Sequence, residues 1–400
     1  MLGDAASGCV EITLVRHGES EANRVGRWQG QGDSPLSERG RAQAAALAGR
    51  LDAARYELVL SSDLSRALET AAALGVRPER APQFREIHVG GWEGLTAGEV
   101  LERFPDQIAA LKRGEAVKIG GGESWAELDV RVDAALAALR ARLPLGSSAI
   151  VFAHGGVIAS ALAGQLGLRG GDRRALGRVA NTAVSTLRFC PEGVHLLRFN
   201  DAIHSGAPSA WAEERRARGA ALIALFADGS SEGSLEAPLG AFYGPLDHLY
   251  APESRRRRAE SLASRLGASL RPLEALASSG APSSLGALLS PLARRHPGER
   301  VGLVADRHEI GRLASAVLAS PGPGSAVPES PALEAPALEA PAPESPARLR
   351  PPPHGTVAHL LVSETGRSLA DYAIGGDRPL ADGGGPDPAR ASQLLAAKRG

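Results

Sequence analysis

Two short runs of β-forming apolar residues each end on a histidine followed by glycine, and this feature constrains the fold most. Residues 10–15 lead into Arg16-His17-Gly18, and residues 149–153 lead into His154-Gly155-Gly156. Strand patterns alternate with helical patterns around both runs, which favours a sheet with helices on both faces. Functional groups in such sheets gather at the carboxyl ends of the strands. Both histidines are therefore expected at that edge of the sheet.

The alternation continues through the first 200 residues. Apolar residues recur at three- and four-residue steps between Trp125 and Leu143, which marks one face of a long helix. The other predicted elements are a strand at 57–60, helices at 41–51 and 64–74, and a terminal hairpin of strands 184–189 and 194–199. This order predicts an α/β fold, a three-layer sandwich around a mostly parallel central sheet.

Length and charge narrow the classes of function. At roughly 150 residues per domain, 400 residues predict two or three domains. Lys+Arg and Asp+Glu both number 45, which argues against a broad electrostatic surface for nucleic acid or anionic membrane. Apolar runs stay shorter than the roughly 18 residues of a membrane span, and the first ten residues do not resemble a signal peptide. We expect a cytoplasmic protein that binds neither nucleic acid nor membrane.

The chain contains two cysteines, Cys9 and Cys190. Two are too few for a disulfide framework or a cysteine-rich zinc site. Since unpaired cysteine behaves as a small apolar residue, we expect two separate buried side chains in a reducing compartment.

Proline is concentrated in one segment. Of 28 prolines, 11 fall between Pro321 and Pro353, where PALEA units repeat in tandem. Such a composition cannot bury enough side chain to fold compactly, so we expect an extended, mobile insertion at 319–353. The Gly- and Ala-rich end, 381–400, is expected to be a flexible tail.

The second half of the chain repeats the motif order of the first, which indicates a tandem duplication. The paired blocks are LFADGS (225–230) with LVRHGE (14–19), RRAESLA (257–263) with RALETAA (66–72), GLVADRHEIG (302–311) with IVFAHGGVIA (150–159), and GTVAHLLV (355–362) with TAVSTLRF (182–189). The predicted domains are therefore 1–208 and 217–380.

A histidine between arginine and glycine at the end of a strand suits phosphoryl transfer. Neutral imidazole is a good nucleophile at pH 7. Arginine offers a planar fork for phosphoryl oxygens, and glycine lets backbone amides approach them closely. The tripeptide at residues 16–18 therefore predicts a nucleophile inside an anion site.

The N-terminal half also resembles a known family along its length. About residues 9–200 resemble the histidine phosphatase superfamily, with its phosphoglycerate mutase-like fold, and within it the small-molecule phosphatases. Seven blocks in family order carry the resemblance: LVRHGESEAN (14–23), GRWQGQGDSPLSERGRAQA (26–44), SSDLSRALETA (61–71), FREIHVGGWEG (84–94), GGES (121–124), FAHGG (152–156) and NTAVS (181–185).

The resemblance implies a role for each matching residue. His17 is the nucleophile that forms a phosphohistidine, and Glu86 donates a proton to the leaving oxygen. The residues implied to bind the phosphoryl group are Arg16, Gly18, Asn23, Arg66, His154 and Gly155. Phosphoryl transfer needs mainly positioning and charge neutralisation, which these side chains supply, so neither a metal nor a cofactor is expected.

The implied function is hydrolysis of small phosphomonoesters, so the expected partner is a small phosphorylated metabolite. One alternative is a 2,3-bisphosphoglycerate-dependent phosphoglycerate mutase. Such mutases carry a longer insert over the pocket than the 68 residues that separate Glu86 from His154. A non-catalytic binding or scaffolding protein is an alternative of another class. The oligomeric state also stays open between a homodimer and an internal pseudo-dimer.

The second copy departs from the family at the positions that matter for catalysis. The equivalences are Ala227 and Asp228 for Arg16 and His17, Asp306 for His154, Arg257 for Arg66 and, more weakly, Glu274 for Glu86. Two carboxylates would place negative charge where phosphate needs positive charge. We therefore expect a degenerate domain without catalytic activity.

Overall fold

The computed structural model describes residues 8–113, 115–168, 173, 175–205, 210–227, 245–276, 285–319, 348–349, 357–363 and 366–374. The predicted tail, most of the proline-rich insertion and Asp228 lie outside them. Within the described ranges no helix is both long and apolar enough to cross a membrane.

The N-terminal half alternates strands and helices as its sequence predicts. Its strands are β1 (Val10–Arg16), β2 (Leu58–Ser61), β3 (Glu79–Arg80), β4 (Ser148–Ala153), β5 (Val184–Cys190) and β6 (Gly193–Asp201). Its helices are α1 (Glu21–Arg24), α2 (Glu38–Ala48), α3 (Ser65–Ala72), α4 (Ala97–Arg103), α5 (Pro105–Lys112), α6 (Trp125–Arg142) and α7 (Gly155–Leu166).

The C-terminal half has a similar but shorter set of elements. Its strands are β7 (Ala221–Ala227), β8 (His248–Ala251), β9 (Ser269–Pro272), β10 (Arg300–Ala305), β11 (Arg348–Leu349), β12 (Val357–Ser363) and β13 (Gly366–Ile374). Its helices are α8 (Ala210–Ala217), α9 (Arg256–Leu266), α10 (Leu285–Arg295) and α11 (Arg307–Ala319). The predicted insertion thus begins at the last residue of α11, and two of its residues form β11.

The core of the N-terminal half lies on both faces of its sheet. Strand β1 runs parallel to β4, and β4 to β2, while β5 and β6 are antiparallel. Ile12 and Leu14 pack in the cluster that includes residues of α6 and α7. Val15, one residue further along the pleat, packs with residues of α2 and α3. The predicted three-layer α/β fold with a mostly parallel sheet is confirmed.

The two halves share one strand order and one register. Their sheets join through β6 and β13, and outward from this junction the order is β6-β5-β1-β4-β2-β3 on one side and β13-β12-β7-β10-β8-β9 on the other. Leu14 lies opposite Val151 and Ser185. In the paired blocks of the two halves, Leu225 corresponds to Leu14. It lies opposite Leu303 and Ala358, which correspond to Val151 and Ser185.

The expectation for the cysteines is wrong, because Cys9 and Cys190 form a disulfide. Val10 of β1 pairs with Phe189 of β5, so the next residues outward, 181 apart in sequence, also lie opposite each other, with Cα atoms 4.4 Å apart. Spacing along the chain gives no sign of this contact, which the antiparallel register creates. Disulfides persist mainly in oxidising compartments, so this bond weighs against the expected reducing environment.

Candidate active site

The predicted histidines meet at the carboxyl edge of the sheet. His17 follows β1 and His154 follows β4, and the parallel pairing of these strands places Arg16 opposite Ala153. The centroids of the two imidazole rings lie 5.1 Å apart, and both rings are buried. Two residues 137 positions apart in sequence therefore share one small volume at this edge.

A backbone carbonyl fixes the tautomer of His17. Its Nδ1 lies 2.6 Å from the carbonyl oxygen of Gly18, which can only accept a hydrogen bond, so Nδ1 carries the proton. Burial, and then the nearby guanidinium groups of Arg66 and Arg16, lower the pKa of His17 well below its usual value. The ring is therefore neutral at pH 7, with the lone pair on Nε2, as a nucleophile requires.

The Arg66 side chain is held inside the site by three hydrogen bonds. Its side chain is only 1% exposed. Nε donates to His154 Nδ1 at 3.2 Å, and the two terminal nitrogens donate to the carbonyl oxygens of Gly32 at 3.0 Å and Gly30 at 2.8 Å. Burial lowers the pKa of Arg66 to about 10, so the group keeps its positive charge at neutral pH.

The neutral state of His154 follows from these contacts. Its Nδ1 accepts from Arg66, so Nε2 carries the proton and donates to Ser62 Oγ at 2.8 Å. Burial, with Arg66 as the next largest cause, lowers the pKa of His154 well below its usual value. Both ring nitrogens have partners inside the protein, so in this state His154 orients the Arg66 guanidinium.

Arg16 contributes a donor that points into the site. Its Nη1 donates to the carbonyl oxygen of Val179 at 2.7 Å, while its buried Nε has no partner among the described residues. A Cβ atom at Gly155 would lie 3.5 Å from this Nε and would cover it. Because an unpaired buried donor is costly, this N–H indicates a place for an anion.

The carboxylate of Glu86 lies against the start of α7. Its Oε2 accepts from the amide of Gly156 at 3.0 Å, and its Oε1 accepts from the amide of Ile87 at 2.9 Å. A Cβ at Gly156 would lie 2.5 Å from Oε1, so only glycine permits this approach. The structure thus brings Glu86 to the edge that carries both histidines.

Gly18 and Asn23 support the site differently from the prediction. The amide of Gly18 donates to Thr70 Oγ1 at 3.0 Å, so in this state it serves packing against α3. Asn23 Oδ1 accepts from the amide of Ser20 at 3.4 Å. It also accepts from Asn181 Nδ2 at 3.5 Å, and the same Nδ2 donates to the His17 carbonyl at 3.1 Å. Asn23 is therefore linked to the nucleophile through Asn181.

Sequence reasoning missed three supporting residues. Ser62 binds His154, as described above. Glu93 accepts from the amides of Gly30 and Gly32 at 3.0–3.1 Å, so it and Arg66 hold opposite sides of one loop. Thr182 has a φ of 57°, a strained conformation for a β-branched residue, and its amide donates to the His17 carbonyl at 3.3 Å. The signal was available, since all three lie in family blocks quoted above.

Comparison with known proteins matches the same region. The model of the histidine phosphatase superfamily (branch 1) matches residues 12–202. The chain is 35% identical over 187 residues to the glucosyl-3-phosphoglycerate phosphatase of Mycobacterium tuberculosis, covering 44% of this chain and 84% of that protein. It is 37% identical over 191 residues to a metal-independent phosphoserine phosphatase of Arabidopsis thaliana, covering 46% and 78%.

Relatives named as mutases and solved structures match as well. A probable phosphoglycerate mutase GpmB of Photorhabdus laumondii is 35% identical over 189 residues, covering 45% of this chain and 85% of that protein. A solved mycobacterial glucosyl-3-phosphoglycerate phosphatase in complex with VO3 is 34% identical, with a TM-score of 0.41, covering 44% of this chain and 92% of that one. From the sequence matches and the shared blocks it follows that this chain belongs to the histidine phosphatase superfamily.

Proposed function

We propose that the N-terminal half hydrolyses small-molecule phosphomonoesters through a phosphohistidine on His17. The observation that carries this proposal is the convergence of a neutral His17 with the guanidinium groups of Arg16 and Arg66. A tetrahedral dianion placed there would meet two positive charges and the free Nε2 lone pair. Relatives named as phosphatases support the reaction class.

The reaction takes two displacements at phosphorus. His17 Nε2 forms a bond to phosphorus as the ester P–O bond breaks, and Glu86 in its acid form gives its proton to the leaving alkoxide. Water then attacks the phosphohistidine, Glu86 takes a proton from it, and the P–N bond breaks to release phosphate and restore neutral His17. Arg16 and Arg66 offset the charge that spreads over the phosphoryl oxygens.

Phosphoglycerate mutase activity is the second candidate, favoured by the relative named as a probable mutase. The two activities differ in the acceptor of the second step, which is water in a phosphatase and a bound sugar acid in a mutase. The short segment between Glu86 and His154 favours water, since a long insert over the pocket is absent from this stretch of the sequence. The non-catalytic alternative requires that the converging set transfer no phosphoryl group at all.

One set of assays separates the three alternatives. A phosphatase releases phosphate from p-nitrophenyl phosphate and leaves 3-phosphoglycerate unisomerised, with or without 2,3-bisphosphoglycerate. Acid quenching of labelled substrate should trap an acid-labile phosphoryl group on the wild type and none on His17→Ala. Turnover by a correctly folded His17→Ala variant would refute the nucleophile. The absence of both turnover and label in the wild type would favour a binding protein.

We further propose that the C-terminal half is an inactive copy of the same domain. The shared strand order and matched registers support a duplication. The catalytic side chains do not recur at the equivalent places, since Ala227 stands for Arg16 and Asp306 for His154. Arg257, at the place of buried Arg66, is exposed. The Asp228 and Glu274 equivalences fall on residues or side chains outside the described set.

The copy has a structural role in this proposal. Strands β13 and β11 both pair with β6, so the second half occupies the edge of the first sheet. An exposed edge strand invites pairing with another molecule, and a fused domain removes that hazard. We therefore expect a monomer with an internal pseudo-dimer, and a stable dimer of the full chain in light scattering would contradict it.

A further inference from the structure

A cluster of potential metal ligands lies in the C-terminal half, away from the candidate active site. His248 begins β8, His296 follows α10, and Glu299 precedes β10. They therefore lie at the amino ends of the strands, whereas the active-site histidines lie at the carboxyl ends. One nitrogen from each histidine and one oxygen from Glu299 all lie within 4.8 Å of one another.

We propose that His248 Nε2, His296 Nδ1 and Glu299 Oε2 bind one zinc ion, with water as the fourth ligand. Two histidines and a carboxylate are an established zinc ligand set. With metal–ligand bonds of about 2.0–2.1 Å, tetrahedral geometry separates the ligand atoms by about 3.4 Å. His248 Nε2 and Glu299 Oε2 lie 3.4 Å apart, so this pair already has the required separation.

The pair of His296 and Glu299 needs a small movement. His296 Nδ1 lies 2.6 Å from Glu299 Oε2, a hydrogen-bond distance that must widen by less than 1 Å to admit the ion. Glu299 can supply that movement, because its side chain is 40% exposed. His296 is buried, and its ring is held by Tyr250, so it forms the fixed side of the site.

In each histidine, the ring nitrogen that would not bind zinc makes a hydrogen bond. The bond of His296 is compatible with metal binding, and that of His248 opposes it. His296 Nε2 lies 2.9 Å from the hydroxyl of Tyr250. A hydroxyl donates or accepts, so it can follow the change of tautomer that frees Nδ1 for the ion. His248 Nδ1 instead accepts from Arg271 Nε at 3.2 Å, an arrangement that keeps the proton on Nε2, where the ion would bind. Arg271 therefore competes with the metal, and its exposed side chain must turn away when zinc binds.

The test measures zinc binding by the full chain, freed of metal and of any histidine tag, by calorimetric titration and by the shift in melting temperature. The wild type should bind one zinc ion at this site with a rise in melting temperature. His248→Asn and Glu299→Gln, both at partly exposed positions, should each weaken binding at least tenfold. His308→Asn, an exposed histidine of the same half, is the matched control and should bind as the wild type does.

Arg271→Ala distinguishes a metal site from a purely structural hydrogen-bond cluster. Removing the competing donor should tighten zinc binding severalfold while lowering or leaving unchanged the melting temperature without zinc. The proposal is overturned if the wild type binds no zinc, or if His248→Asn and Glu299→Gln keep wild-type affinity and stoichiometry. Melting of each variant in chelator shows that weakened binding does not reflect a loss of folding.

Discussion

Strands β4 and β10 occupy equivalent places in the two halves, but the residues that follow them, His154 and Asp306, make different hydrogen bonds. His154 starts α7 without a side-chain hydrogen bond to the helix, and its ring is bound to Arg66 instead. Asp306 starts α11 by accepting from the amides of His308 and Glu309 at 2.8 and 3.3 Å. In the N-terminal half the residue before the helix makes no capping bond, and Glu86 accepts from the amide of Gly156 instead, whereas in the C-terminal half Asp306 itself caps the helix.

The glycine at the start of the helix shows the same contrast. Gly156 leaves room for the carboxylate of Glu86, and its aligned position in the second half is His308, an exposed side chain. At Gly156, a Cβ would lie 2.5 Å from Glu86 Oε1 and would crowd the carboxylate. The second half therefore differs from the first in the shape of this place as well as in its charge, while the registers that set the fold are kept.

The largest effect is expected for Arg66, compared with Arg257 at the equivalent place in the other half. Arg66→Ala removes a buried cation from the phosphoryl site and frees the loop at Gly30 and Gly32, so kcat/KM should fall by about 10²–10³ or more. Arg257→Ala removes an exposed side chain of the other half and should leave kcat/KM and the melting temperature unchanged. Phosphate release from p-nitrophenyl phosphate measures kcat/KM of both variants, and thermal unfolding measures their melting temperatures. A comparable loss in Arg257→Ala would mean that the second half takes part in catalysis.

The sequence predicted the alternation of strands and helices around the active site and the place of both histidines at the carboxyl edge of the sheet, because both follow from periodicity and strand polarity. Arg16 was also indicated by the tripeptide at residues 16–18, whereas Arg66 and Glu86 came from the family blocks, since nothing in local periodicity brings Glu86 to the amide of Gly156. The prediction of two unpaired cysteines was wrong, because Cys9 and Cys190 form a disulfide. It depends on the register of an antiparallel pair, and a shift of one residue would place Cys9 and Cys190 on opposite faces.

The cross-strand disulfide is a second difference between the halves. Ala220 and Ser363 occupy the places of Cys9 and Cys190 beside the β7–β12 ladder. Reduction, or Cys190→Ser, should lower the free energy of unfolding by about 2–4 kcal/mol, because the bond closes a long loop in the unfolded chain. Urea unfolding with and without reductant measures this. The control is Cys190→Ser with reductant, which should show no further loss, and an unchanged midpoint on reduction would show that the bond adds nothing.

Gly156→Ala adds a Cβ atom to the N-terminal half at the position where the C-terminal half carries the side chain of His308. The new Cβ would lie 2.5 Å from Glu86 Oε1, which is the end of a flexible side chain, so the carboxylate should move while the fold stays intact. We expect kcat/KM to fall about 10- to 100-fold, less than the roughly 10²–10⁴-fold that general acid–base catalysis contributes, because the carboxylate is displaced and not removed. Gly98→Ala, at a helical position with open space, is the matched control. Equal rates in the two variants would place Glu86 outside the reaction.

The smallest expected effect concerns the capped helix of the second half. Asp306→Ala removes the acceptor for the amides of His308 and Glu309 and should lower the free energy of unfolding by about 1 kcal/mol, whereas Asp306→Asn keeps a capping oxygen and should lose only a few tenths. Urea unfolding of the full chain measures both, and activity should be unchanged in each. If Asp306→Asn lost as much as Asp306→Ala, the charge rather than the cap would be what Asp306 supplies. The capping oxygen of Asp306 would then not stabilise the helix start. The difference between the two helix starts would lie only in the absence of a histidine at the place of His154.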